Sequence, residues 1–166
     1  MDFIKTGFLY TVEHLAADGH VKTIEQAHNL IPTEGANYML NTALMGGSAF
    51  TSWYMGLFEA ARAPSAADTL SSLIADGDEV VTYTTGAGRL PITLSAASAG
   101  ATSTSASPNI FVFPAAATVR GAFITSGSAF GGTTGLLLSV ALFSATKTLA
   151  AGESLRVPAG FALTSA

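Results

Sequence analysis

The chain has no cysteine among its 166 residues. That excludes a disulfide framework, a thiolate metal site and a thiol nucleophile. Charge is also scarce. Asp, Glu, Lys and Arg make up 11% of residues, less than half the roughly 25% of an ordinary soluble domain. The basic residues (Lys5, Lys22, Arg62, Arg89, Arg120, Lys147 and Arg156) stand singly. They form no patch for a nucleic acid to meet, so no nucleic-acid partner is expected. Long apolar runs are missing too. The longest, residues 136–145, is about half of what a bilayer-spanning helix needs, and no membrane partner is expected. Met1-Asp2-Phe3-Ile4-Lys5 sets an acid ahead of a very short apolar stretch, which does not read as a secretory signal. No internal repeat is present.

Small residues take the place of charge. Ala (30), Gly (17), Ser (16) and Thr (20) together form half the chain. The surface must then be mostly hydroxyl and backbone. Such a surface suits close packing against another one, because little charge has to be desolvated, and it is unusual for a freely diffusing enzyme. The length and a hydrophobic content of 49% fit a single domain over residues 1–166 that buries its own core.

The chain opens as a β-hairpin. Phe8, Tyr10, Val12 and His14 share one face at period two, Ala17-Asp18-Gly19-His20 is a turn, and residues 21–24 return. Pro32 favours extended chain before it. Thr33 then reads as an N-cap for a helix over 33–45 that buries Tyr38, Leu40, Ala43 and Leu44 and stops at Gly46-Gly47. Residues 51–58 read as a core strand, and a short helix follows from an Asp68 cap to Ile74. Residues 79–84 alternate with Val81 and Tyr83 on one side, and Pro91 marks an edge strand over 90–94. Residues 95–107 are either a flexible linker or a loop with a Ser/Thr edge strand, the second being preferred. Residues 109–113 and 119–125 are strands, the latter with Val119, Gly121 and Phe123 opposite Arg120, Ala122 and Ile124. Residues 136–143 are apolar on both faces and read as a central strand. Leu155, Val157, Ala159, Phe161 and Leu163 alternate as one half-buried strand. Many short strands with turns between them and one or two short helices predict a mainly β fold, an antiparallel, jelly-roll-like β-sandwich.

Sites for chemistry are hard to find. His14, His20 and His28 lack the spacing and companions of a zinc site and read as surface or turn histidines. Asp76-Gly77-Asp78-Glu79 begins like a calcium loop but lacks the later acid, so it reads as a charged turn. Gly131-Gly132-Thr133-Thr134-Gly135 has no lysine and precedes a strand, so it is a hairpin loop and not a phosphate cradle. There is no G-x-S-x-G elbow. No catalytic, metal or cofactor residues are assigned, and no cofactor is expected.

Several blocks follow one another in order. They are Gly7-Phe8, Val12-Glu13-His14, Asn29-Leu30-Ile31-Pro32-Thr33-Glu34-Gly35 and Trp53-Tyr54-Met55-Gly56-Leu57-Phe58. Ala67-Asp68-Thr69, Glu79-Val80-Val81-Thr82-Tyr83-Thr84 and Arg89 follow, then Val119-Arg120-Gly121-Ala122-Phe123-Ile124 and Gly131-Gly132-Thr133-Thr134-Gly135. Across nearly the whole chain this pattern resembles a family of small proteins that tailed bacteriophages encode close to their capsid genes, the capsid decoration or cement proteins. The resemblance implies a non-enzymatic structural protein, made in the bacterial host cytoplasm and placed on the outside of the virion capsid. Its partners would be the major capsid protein and its own copies, as a dimer or trimer. It carries over no catalytic residue.

The interface candidates are Phe3 and Ile4 on an extended N-terminal arm (1–6), Tyr54 facing out beside a core Trp53, and Phe130 at the tip of the glycine-rich loop. The arm and Phe130 could equally be tucked into the subunit's own core. Removing residues 2–5 is expected to weaken capsid binding and leave the fold. The competing function is a head-fibre, tail-fibre or baseplate module that binds host glycans. An enzyme acting on cell-wall sugars would need an acid–base pair that the sequence does not offer.

Overall fold

The structure is a computed structural model, and it describes residues 5–77, 79–84 and 86–164. The chain runs through β1 (Lys5–Leu15), β2 (Val21–His28), α1 (Thr33–Met45), β3 (Tyr54–Phe58), α2 (Leu70–Gly77), β4 (Glu79–Val80), β5 (Leu90–Pro91) and β6 (Ala101–Ser103). It continues through β7 (Asn109–Val112), β8 (Ala117–Thr125), β9 (Leu137–Leu149), β10 (Ser154–Val157) and β11 (Ala159–Thr164). All strand pairings between them are antiparallel, and they form two sheets packed as a β-sandwich.

The first sheet grows from the opening hairpin. Gly19 takes a positive φ of 88° in its turn, which glycine adopts without a Cβ clash. Phe8, Tyr10, Val12 and His14 all face inward, as their alternation predicts. The other edge of β1 pairs with two strands in line: β11 along Lys5–Tyr10 and β10 along Glu13–Leu15. The expected single C-terminal strand is therefore two. Pro158 divides it, having no N–H to donate to the ladder, while its carbonyl accepts from Thr11 N–H (2.9 Å). Leu155, Val157 and Ala159 are buried as expected, but Leu163 at the end is exposed. β7 flanks β10 and β6 flanks β11, so the Ser/Thr-rich stretch does supply an edge strand.

The second sheet runs β9-β8-β3, with β4 and β5 both along the outer edge of β3. Pro91 sits on that edge, where a missing donor costs nothing. The strand expected over 79–84 is only Glu79–Val80. Val81 is exposed and Tyr83 buried, so they do not share a face. β9 is not central as expected but ends the sheet. Its apolar two-sidedness has another cause, because both of its faces are covered over 137–141. One contributes Leu138 and Ala141 to the main core between the sheets. The other contributes Leu137 and Val140 to a smaller core with Phe58, Phe123 and α2 residues Leu70 and Leu73. Its open edge is closed by Leu30, which exchanges two backbone hydrogen bonds with Val140, and by Glu34, which accepts from Leu137 N–H (2.6 Å).

Strand β8 keeps the predicted alternation only from Gly121 onward. The register slips between Val119 and Gly121, and residues 143–146 of β9 stand opposite Arg120 alone. Val119 therefore joins Ala122 and Ile124 in the main core, not Phe123. The same irregularity brings Ser144 and Lys147 to Glu25 of β2 (2.8 and 2.9 Å), tying one sheet to the other. Inside, Tyr10 Oη and Ser139 Oγ bridge the sheets at 2.7 Å, and burial pushes the Tyr10 phenol well above its ordinary pKa.

Both helix starts differ from expectation. Pro32, not Thr33, caps α1, and no side-chain hydrogen bond assists it. At α2, Thr69 rather than Asp68 is the cap. Thr69 Oγ1 accepts from Ser72 N–H (3.1 Å) and Thr69 N–H donates to Ser72 Oγ (2.9 Å). Asp68 turns aside and accepts from Ser65 N–H and from Arg62.

Candidate interaction surface

Acidic and basic residues are few, and those with buried side chains serve the fold. Arg89 and Glu79 have side chains 0% and 3% exposed. Arg89 Nε and Nη2 donate to the two Glu79 carboxylate oxygens (2.7 and 3.0 Å). The guanidinium also donates to the carbonyls of Gly127 and Gly132, and it lies over the Phe123 ring. Glu79 Oε2 accepts from Gly131 N–H (2.7 Å). The glycine-rich loop is thus folded around an internal ion pair. Glu79 and Glu59 line one depression of about 460 Å³. Both Glu79 oxygens are already engaged, so the two carboxylates do not form a free acid–base couple.

His14 is a correction to the sequence reading. It is buried, not on the surface, and its Nε2–H donates to Glu153 Oε2 (2.8 Å). Glu153 also receives Lys22 Nζ (2.7 Å) and Ala150 N–H (2.9 Å). The Lys22 bond first, then the Ala150 and His14 bonds, hold its pKa down at about 2. His20, in the exposed turn, pairs locally with Asp18. Among the described residues, no group of three or more His, Asp or Glu could hold a metal ion. No helix among them is long and apolar enough to cross a membrane.

The apolar side chains are distributed in the opposite sense. Helix α1 lies on β9 through Gly35, where an added Cβ would sit 2.9 Å from the carbonyl oxygens of both Leu137 and Leu138. That close approach settles which side of the helix is covered. Tyr38 and Met39 pack on the core, whereas Leu40 and Leu44, expected to be buried, are 56% and 78% exposed. Ala43, expected on the same buried face, is exposed too. Met45 is 80% exposed and Phe50 46%. After the left-handed Gly46 the chain folds back, Phe50 N–H donates to Tyr38 Oη (2.7 Å), and Tyr38, Phe50 and Trp53 cluster with ring centroids 5.2–5.6 Å apart. No acid or base occurs between residues 35 and 58.

Three open depressions adjoin here. One, of about 520 Å³, lies among Asn37, Tyr38, Asn41 and Phe50. The next, about 180 Å³, shares Tyr38 and reaches Thr102 and Phe161. The third, about 390 Å³, shares those two and spreads over the outer face of the first sheet, across Gly7, Ala101, Gly160 and Ala162. Glu34 is the only charged residue among the described ones lining any of the three, and its carboxylate is engaged by Leu137 N–H.

The sequence-based interface candidates are not assembled in this surface. Phe3 and Ile4 lie outside the described residues. Of the expected arm, Lys5 and Thr6 belong to β1 and pair with Thr164 and Leu163 in β11. Tyr54 is half-buried in β3, between Thr125 and Pro91. Phe130 is tucked inward, its ring 5.3 Å from that of Tyr83. The exposed end of α1 was missed, although a charge-free stretch ending a helix in Met45-Gly46-Gly47 is a signal that could have found it. Compared with known proteins, the chain matches no family model, and no curated protein or solved structure matches it significantly.

Proposed function

We propose that this is a capsid decoration protein of a tailed bacteriophage, a non-enzymatic structural protein without a cofactor that binds the outer surface of the shell and stabilises it. The observation that carries the reading is the continuous surface from Tyr38 to Ala162, with no charged residue among the described ones along its two depressions. Such a surface can meet a broad protein face with little desolvation cost. The order of short sequence blocks supports the same reading. The scaffold is taken as jelly-roll-like, the partners as the major capsid protein and the protein's own copies in a dimer or trimer, and the site of action as the capsid exterior after synthesis in the host cytoplasm. Weak contacts repeated over a lattice then sum by avidity.

The test is copy number per virion, by quantitative mass spectrometry against the major capsid protein. A ratio near one, or a simple lattice fraction of it, is expected. A handful of copies would place the protein in a tail, fibre or vertex, and absence from the particle would end the reading. One observation favours a second function, a fibre or baseplate module binding host glycans: the Tyr38–Phe50–Trp53 cluster borders a depression that also presents Asn37 and Asn41. Glycan-array binding that is lost in Phe50→Ala would support it.

A further inference from the structure

We propose that the outward face of α1 is a self-association surface, where two copies meet across a two-fold axis. This deepens the oligomer part of the decoration reading and rests on it. Asn37 and Leu40, and Asn41 and Leu44, are three residues apart, Asn37 and Asn41, and Leu40 and Leu44, four apart, and all are exposed, so they form one stripe pointing away from the subunit. Leu40–Leu44 is one ridge of this stripe and Asn37–Asn41 the next, with a groove between them. Helices dock by setting such ridges into a partner's grooves.

The chemistry selects a second copy as the occupant. A two-fold interface brings each group against the same patch on its mate, so the patch must complement itself. Leucine and methionine satisfy that. An asparagine amide does too, since it both donates and accepts. A charge does not, and no acid or base stands between residues 35 and 58, whereas the chain as a whole carries −4. The C-terminal turn of α1 has no basic residue to offset its dipole. Two helices crossing in opposite senses about the axis would set each negative end towards the other's positive end. The stripe is smaller than the roughly 20–30 residues a side of a standard stable interface, so the pair is expected to form in the micromolar range.

Sedimentation equilibrium of the full chain across micromolar concentrations tests this. A monomer–dimer equilibrium is expected, abolished by Leu44→Lys and kept by Val81→Lys, another exposed apolar site remote in sequence. Circular dichroism should show all three chains equally folded. Because the protein has no cysteine, Asn41→Cys adds a single reporter, which should cross-link into disulfide dimers that Leu44→Lys prevents. A monomer at every concentration, or a dimer indifferent to Leu44→Lys, overturns the inference. Either result leaves the decoration reading to stand or fall on virion copy number. A dimer that passes these tests in a protein absent from virions would sink that reading and keep this interface.

Discussion

The Arg89–Glu79 pair and the free end of α1 depart from the usual partition of charge and apolar surface in opposite directions. Around Arg89 a full ion pair is withdrawn from water and surrounded by backbone carbonyls, an amide and an aromatic ring. On α1, two leucines and a methionine are left in water, in a stretch from residue 35 to 58 that holds no acid or base. The first arrangement answers an internal need. A glycine-rich loop has few side chains to order it, and the buried ions supply fixed hydrogen-bond partners. The second has no internal purpose, since α1 is held through its other face. The charge inside serves the fold, and the apolar patch outside is what the proposed self-association rests on.

Four changes would break or sharpen that contrast. The largest effect is expected at Arg89. Arg89→Met strands the Glu79 carboxylate and two glycine carbonyls in a dry site, and should cost about 3–5 kcal/mol in urea unfolding. The double change Arg89→Met with Glu79→Leu should cost less than that single one, because no buried charge is left unpaired. Gly35→Ala comes next. Its Cβ would meet the Leu137 and Leu138 backbone, which cannot yield as a side-chain tip can. A loss of about 1–3 kcal/mol is expected, with faster hydrogen exchange confined to α1.

The third concerns acid. The pKa of Glu153 falls from an ordinary 4.5 to about 2 on folding. Its contribution to stability is therefore complete above about 4.5 and lost as pH falls towards 2. Glu153→Gln should be less stable than the natural chain at neutral pH, with the gap closing over that window in denaturation at a series of pH values. A constant gap would show that the carboxylate's charge does not matter. The smallest effect is at the surface. Leu44→Gln should change stability by no more than about 0.5 kcal/mol, far less than the cost of a buried leucine such as Leu57→Ala, about 2–5 kcal/mol. A larger loss would mean that Leu44 serves the fold.

Much of the architecture was legible beforehand where it depends on local pattern. The opening hairpin, its Asp18-Gly19 turn and the inward set Phe8 to His14 follow from alternation and turn chemistry, and the Ser/Thr composition of 95–107 allowed an edge strand there without its bounds. The candidate surface was less legible. Helical periodicity marked Leu40, Ala43 and Leu44 as a buried face because an apolar stripe usually meets a core. It could not show that Gly35 would let the backbone of β9 in on the other side. Phe130 among glycines could be read as an exposed tip or as tucked inward, and the Arg89–Glu79 pair, which folds its loop inward, decided between them. No spacing rule relates Glu79 and Arg89, ten residues apart, to glycine carbonyls about forty further along.

The sequence by itself determined the class of the molecule: short alternating strands, a charge-poor and small-residue surface, no thiol and no basic patch. These follow from composition and from the period of each segment, which are local quantities. Only the tertiary structure decided what those segments meet. It put His14 against Glu153 across 139 residues and both faces of β9 under cover. It left the leucines of α1 outside. Periodicity records which side chains share a face. Whether that face meets a core or water depends on packing distances between elements far apart in the chain, here the approach of Gly35 to the carbonyls of Leu137 and Leu138.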